Sequence, residues 1–142
     1  MGMYTELNMS AELNAVMDEN TLKVLKYMLG DEEVSPADIE GILPDFPLFK
    51  SDSGRWTYML NCDSFYFAHT AHSELVDRHN IDTVLNVRCD LKNYDNEIEH
   101  FLDWVYTFTP TRGFVGYMRY EENENPTLIY FTDEGVEYKE VD

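Results

Sequence analysis

Residues 83–91 read Thr-Val-Leu-Asn-Val-Arg-Cys-Asp-Leu. Leu85, Val87, Cys89 and Leu91 fall on one side of an extended chain, and Val84, Asn86, Arg88 and Asp90 fall on the other. A period of two scatters around a helix but makes one clean apolar face on a strand. Residues 3–13 repeat the pattern. Met3, Leu7, Met9, Ala11 and Leu13 face one way; Tyr4, Glu6, Asn8, Ser10 and Glu12 face the other. Two such segments demand a sheet with one buried face, and something apolar must cover that face.

Two helices answer that need. Asp18 or Asn20 caps a helix running to Leu29, with Leu22, Leu25 and Leu29 on its stripe and Gly30 as its stop. The second carries Ile98, Phe101, Leu102 and Val105 at i, i+3, i+4 and i+7, capped by Asn93 or Asp95 and closed by Pro110 and Gly113. A short helix begins at Ser35-Pro36, with Ser as cap and Pro at the first position, and Gly41 ends it. Pro44 and Pro47 forbid regular structure next, leaving a loop that Ile42, Leu43, Phe46 and Phe49 either pack down or leave mobile.

Further strands are predicted at 56–60, 65–70, 73–77, 114–120, 127–132 and 136–141. The last three form a meander, turning at 121–126 and at Asp133-Glu134-Gly135. The predicted fold is therefore α+β: an antiparallel sheet with two main helices on one face. The element order suggests two β-α-β-β-like halves, without a residue-level repeat. Residues 1–142 are expected to form a single domain. The 44% apolar and 14% aromatic content suffices to bury roughly two-thirds of the unfolded chain's surface.

No apolar run approaches the roughly 20 residues of a membrane span. Met1-Gly2-Met3-Tyr4 has no signal-peptide character, and Glu6 stands where myristoylation wants Ser or Thr. A cytoplasmic protein is expected, with Cys62 and Cys89 as reduced, buried thiols.

Catalytic patterns are sparse. The sequence contains no G-x-S-x-G and no Gly-rich phosphate loop, and neither cysteine adjoins a helix N-terminus. Cys62, Asp63, His69, His72 and Glu74 are zinc-ligand types, but His69 and His72 are three apart and fall on opposite faces of one strand. Only a turn at Thr70-Ala71 brings them together, so no metal and no cofactor are expected. A small enzyme or ligand-binding protein using the His69/His72 region is the alternative to a binding protein.

Charge is the remaining signal. With 28 acidic and 10 basic residues the net charge is −18, which opposes direct contact with nucleic acid or anionic membranes. A domain of this length is about 37 Å across. Duplex DNA of that length carries about 22 phosphates, a comparable total. Within residues 119–142, eight carboxylates meet two basic side chains. Glu121, Glu122 and Glu124 occupy one turn; Asp133, Glu134 and Glu137 lie in or beside the next, so the two groups frame a sheet edge. The outward halves of the aromatic-rich strands, such as Tyr66, are candidate anchors for a partner.

"MGMYTEL", "VRCDLKNYDNEIEHFLDW" and "GFVGYMRYEENENPTLIYF" resemble a group of small acidic proteins from phages and prophages. The resemblance spans most of the chain and brings no catalytic residues with it. It implies a phage accessory protein in the bacterial host's cytoplasm. By analogy with small acidic phage proteins, it also implies an inhibitor of a host nucleic-acid-handling or defence complex, of anti-CRISPR or anti-restriction type, acting by nucleic-acid mimicry. The partner expected is a host protein with a basic groove; a phage accessory protein without an inhibitory role is a further alternative.

Overall fold

The computed structural model describes residues 3–68 and 70–141. Six strands form one antiparallel sheet: β1 (Thr5–Glu12), β2 (Glu74–Arg78), β3 (Asp82–Leu91), β4 (Gly113–Tyr120), β5 (Thr127–Thr132) and β6 (Gly135–Glu140). Their spatial order is β2-β3-β1-β4-β5-β6, with β1 at the centre. The register pairs Leu7 with Cys89, Met9 with Val87 and Ala11 with Leu85, so both alternating segments turn the same face inward. Ile129 and Phe131 of β5 continue that face, and all of these side chains are buried. The fold is α+β, as the alternating strands and the helix stripes together predict.

Helices α1 (Glu19–Met28) and α3 (Glu97–Tyr106) cover the inner face, with the single turn α2 (Pro36–Ile39) beside α1. Asp18 caps α1 by accepting from the Thr21 N–H at 3.0 Å. The stripe is rotated from the predicted one: Val24, Leu25 and Met28 are buried, while Leu22 and Leu29 are only half-buried. The cap of α3 also differs from expectation. Asn96, in the left-handed region at φ 57°, is the boundary residue. Asn93 reaches in from outside, its Oδ1 accepting from the Ile98 N–H at 2.7 Å. Asp95 is engaged by Arg55 instead, at 2.8 Å.

Two predicted strands are absent. Residues 56–60 form 3-10 turns, Arg55–Thr57 and Met59–Asn61, that bury Trp56, Met59 and Leu60. Those three side chains stand at i, i+3 and i+4, a helical spacing that the surrounding aromatic and β-branched residues masked. At 65–70 the chain turns rather than extending, apart from His69, which lies outside the described residues. Ser64 is pinned there by its N–H, which donates to Asp90 Oδ2 at 3.1 Å, and Phe65 is left 94% exposed.

The irregular segment after α2 is packed down. Phe49 and Leu48 are buried, and Phe49 meets Trp104 and Trp56 edge to face at 5.0 and 4.9 Å. Leu43, expected to help, is 39% exposed.

His79 and Asn80 join β2 to β3 with φ of 53° and 60°, and the Ile81 N–H donates to Arg78 O at 2.9 Å. Two positive φ values in succession define a type I′ turn, whose second position favours glycine. Asn80→Gly is therefore expected to raise unfolding free energy by roughly 0.5–1 kcal/mol. A urea melt of that variant showing lower stability would contradict the turn assignment.

Candidate acidic interface

The sheet's outer face gathers four basic residues, Arg78, Arg88, Arg119 and Lys139, by register. Arg119 pairs with the buried Glu6 at 2.9 Å, and Arg78 binds Asp82 through its Nε at 2.7 Å. By the same register Glu6, Glu12, Glu74, Asp82, Asp90 and Glu137 share that face, so it stays net negative.

In the β4–β5 turn the three predicted glutamates separate. Glu121 is half-buried: its N–H donates to Tyr4 O at 3.0 Å and its carboxylate accepts from the Tyr4 N–H. It fastens the start of β1 and is spent on the fold. Glu122 and Glu124 are exposed, and with Glu140 and Val141 they line an open cleft of about 390 Å³. Arg119 holds the turn's shape by donating to Asn123 O at 3.1 Å.

The β5–β6 turn carries the second group. Asp133 and Glu134 are exposed, with Arg112 Nε 3.5 Å from Asp133. Glu137 accepts from Thr132 Oγ1 at 2.6 Å, which orients its carboxylate outward along the edge. The two groups stand at opposite ends of β5, roughly 17–20 Å apart for six residues of strand.

Glu99 and Asp103 of α3, which the sequence did not single out, sit against β6. They face Tyr138 on the inner side of β6. Burial raises the Tyr138 hydroxyl pKa, and the charges of Glu99 and Asp103 raise it further. Asp103 is likewise raised, first by burial, with His100 drawing it down and Glu99 pushing it up. Their i, i+4 spacing on a polar helix face is legible in the sequence; that the face abuts β6 is not. Around β6, then, Glu122, Glu124 and Glu140 stand at one end, Asp133 and Glu134 at the other, Glu99 and Asp103 beside the inner face and Glu137 on the outer one. Three basic side chains, Arg112, Arg119 and Lys139, lie among these eight.

Elsewhere, His72 extends the β2–β3 ladder, its N–H donating to Arg88 O at 2.7 Å. Its Nε2 lies 3.3 Å from Glu74, and both side chains are largely exposed. His69 lies outside the described residues. Among the described residues no three His, Cys, Asp or Glu side chains are placed to share a metal ion. Burial pushes the thiols of Cys89 and Cys62 upward, with nearby Asp90 adding to both, so each holds its proton and is a poor nucleophile. No described helix is long and apolar enough to cross a membrane.

No protein-family model matches the chain, and neither a curated protein nor a solved structure does.

Proposed function

We propose that this is a phage-encoded, non-enzymatic binding protein that occupies a basic, nucleic-acid-binding groove on a host protein in the bacterial cytoplasm. Its carboxylates stand in for phosphates, which makes it an inhibitor of a nucleic-acid-handling or defence complex. The observation that supports this is the set of eight carboxylates around β6 against three cations, with Glu99 and Asp103 adding to the burial that raises the Tyr138 hydroxyl. Like charges ranged along one strand cost stability. A basic groove repays that cost on binding and steers the encounter from a distance.

The test uses the protein immobilised in bacterial lysate. Captured proteins are expected to elute with competing duplex DNA and with added salt, since both remove the charge pairing. A variant neutralised at Glu122, Glu124, Asp133 and Glu134 should associate about tenfold more slowly, with dissociation changed less. One neutralised at Asp31, Glu32 and Glu33, away from β6, should keep its association rate. Captured proteins that duplex DNA does not release would defeat the proposal.

A further inference from the structure

Among the described residues, strand β6 is paired on one side only. All six of its residues are in register with β5, from Thr132 opposite Gly135 to Thr127 opposite Glu140, with no bulge. It ends the sheet, so alternate residues direct backbone N–H and C=O groups to solvent. The opposite edge, β2, is shorter, and its Arg78 is held by Asp82. An unbulged edge of this length is a template for another strand, and its chemistry decides which strands it admits.

That chemistry is acidic on the inner face. Glu137 and Lys139 share the outer face and offset each other, while Glu140 with Tyr138, backed by Glu99 and Asp103, lies on the inner one. Asp133-Glu134 and Glu122-Glu124 stand at its two ends. A second copy of this chain would bring a matching set of carboxylates against these. An extended segment bearing lysine or arginine at alternate positions turns all of them to one face and would meet the inner carboxylates.

We propose that β6 accepts a lysine- or arginine-rich extended segment of the partner as a seventh, antiparallel or parallel, strand. This rests on the function proposed above and deepens it. The groove-lining protein contributes a strand whose backbone pairs with β6 while its basic side chains reach the carboxylates on the inner face. Backbone pairing gives register and residence time; charge gives the choice of strand.

The probe is a synthetic peptide of about eight residues alternating lysine and valine, a typical strand length. Its twin carries N-methyl groups at alternate residues, which keeps every side chain but removes the donors on one edge. The unmodified peptide is expected to slow hydrogen exchange at alternate amides of β6. N-methylation on the pairing edge should weaken binding by at least about tenfold, and on the other edge should not. Equal binding of both N-methyl isomers, with β6 amides unprotected, overturns strand addition. If lysate capture remains DNA-competed in that case, the function proposed above stands without it. A chain that sediments as a dimer whose β6 amides are already protected gives the edge to a second copy and overturns the proposal as well. If neither peptide binds, strand addition fails, and the lysate experiment then judges the function separately.

Discussion

Gly116→Ala is expected to cost more than about 4 kcal/mol, in the range where single substitutions are exceptional. Gly116 lies on β4 opposite Met9 of the central strand, just after an irregularity in register between Phe114 and Gly116. A Cβ built there would lie 2.0 Å from the carbonyl oxygen of Asn8 and 2.6 Å from the Met9 Cα. Both are backbone atoms of β1, so no side-chain rotation relieves the overlap. The strands must separate, and the β1–β4 pairing joins the two halves of the sheet. For a domain stabilised by about 5–15 kcal/mol, a loss of that size takes a large share of the total. Gly113→Ala is the control. It stands on the same strand at φ 107°, where a Cβ meets nothing within 4 Å, so only backbone strain of roughly 1–2 kcal/mol applies. Chemical denaturation of the two variants decides the matter. Equal costs would mean that β1 and β4 do not approach as closely as the register requires.

Gly116 also shows how the sequence carries this fold. A lone glycine in an alternating strand signals a bulge or a close backbone approach, yet not which strand approaches. Period-two alternation in β1 and β3, with the apolar stripes of α1 and α3 to cover the face it leaves, was sufficient for the α+β class. Boundaries and caps were less legible. Asn93, Asp95 and Asn96 are all good cap residues, and their roles were divided by a residue 40 positions away, Arg55. The 3-10 turns around Trp56 and Met59 escaped notice because aromatic and β-branched residues favour strands wherever nothing else competes. Trp104, fully buried between Phe49 and Phe108 with ring centroids at 5.0 Å, lay outside the stripe of its own helix. Its partner Phe49 comes from the irregular segment, so only tertiary packing reveals why it is inside.

The acidic residues around β6 divide in the same way. Glu122 and Glu124 were legible as exposed turn residues, and so were Asp133 and Glu134. Glu121 looks identical in sequence, yet the sheet order sets it beside the Tyr4 N–H and commits it to the fold. Glu99, Asp103 and Glu140 join that set only because β6 packs against α3, a juxtaposition of segments far apart in the chain.

Arg55→Met is expected to destabilise the fold by about 3–5 kcal/mol, the scale for stranding one member of a buried ion pair. Glu97 is 1% exposed at the first turn of α3, and Arg55 Nε donates to its Oε2 at 2.6 Å. The same guanidinium donates to Asp95 at 2.8 Å and lies 5.3 Å from the Tyr94 ring centroid. Glu97 Oε1 accepts from the Asp95 N–H at 2.9 Å, so one carboxylate ties the 3-10 segment to the start of the helix. The helix N-terminus favours its negative charge but cannot alone replace the lost cation in a dry site. Methionine retains most of the arginine stem's bulk, which separates the charge effect from lost packing. Adding Glu97→Met to the first substitution should recover most of the loss, since removing both charges also removes the desolvation penalty. A cost below about 1 kcal/mol for Arg55→Met in denaturant melts would show that Glu97 finds other compensation.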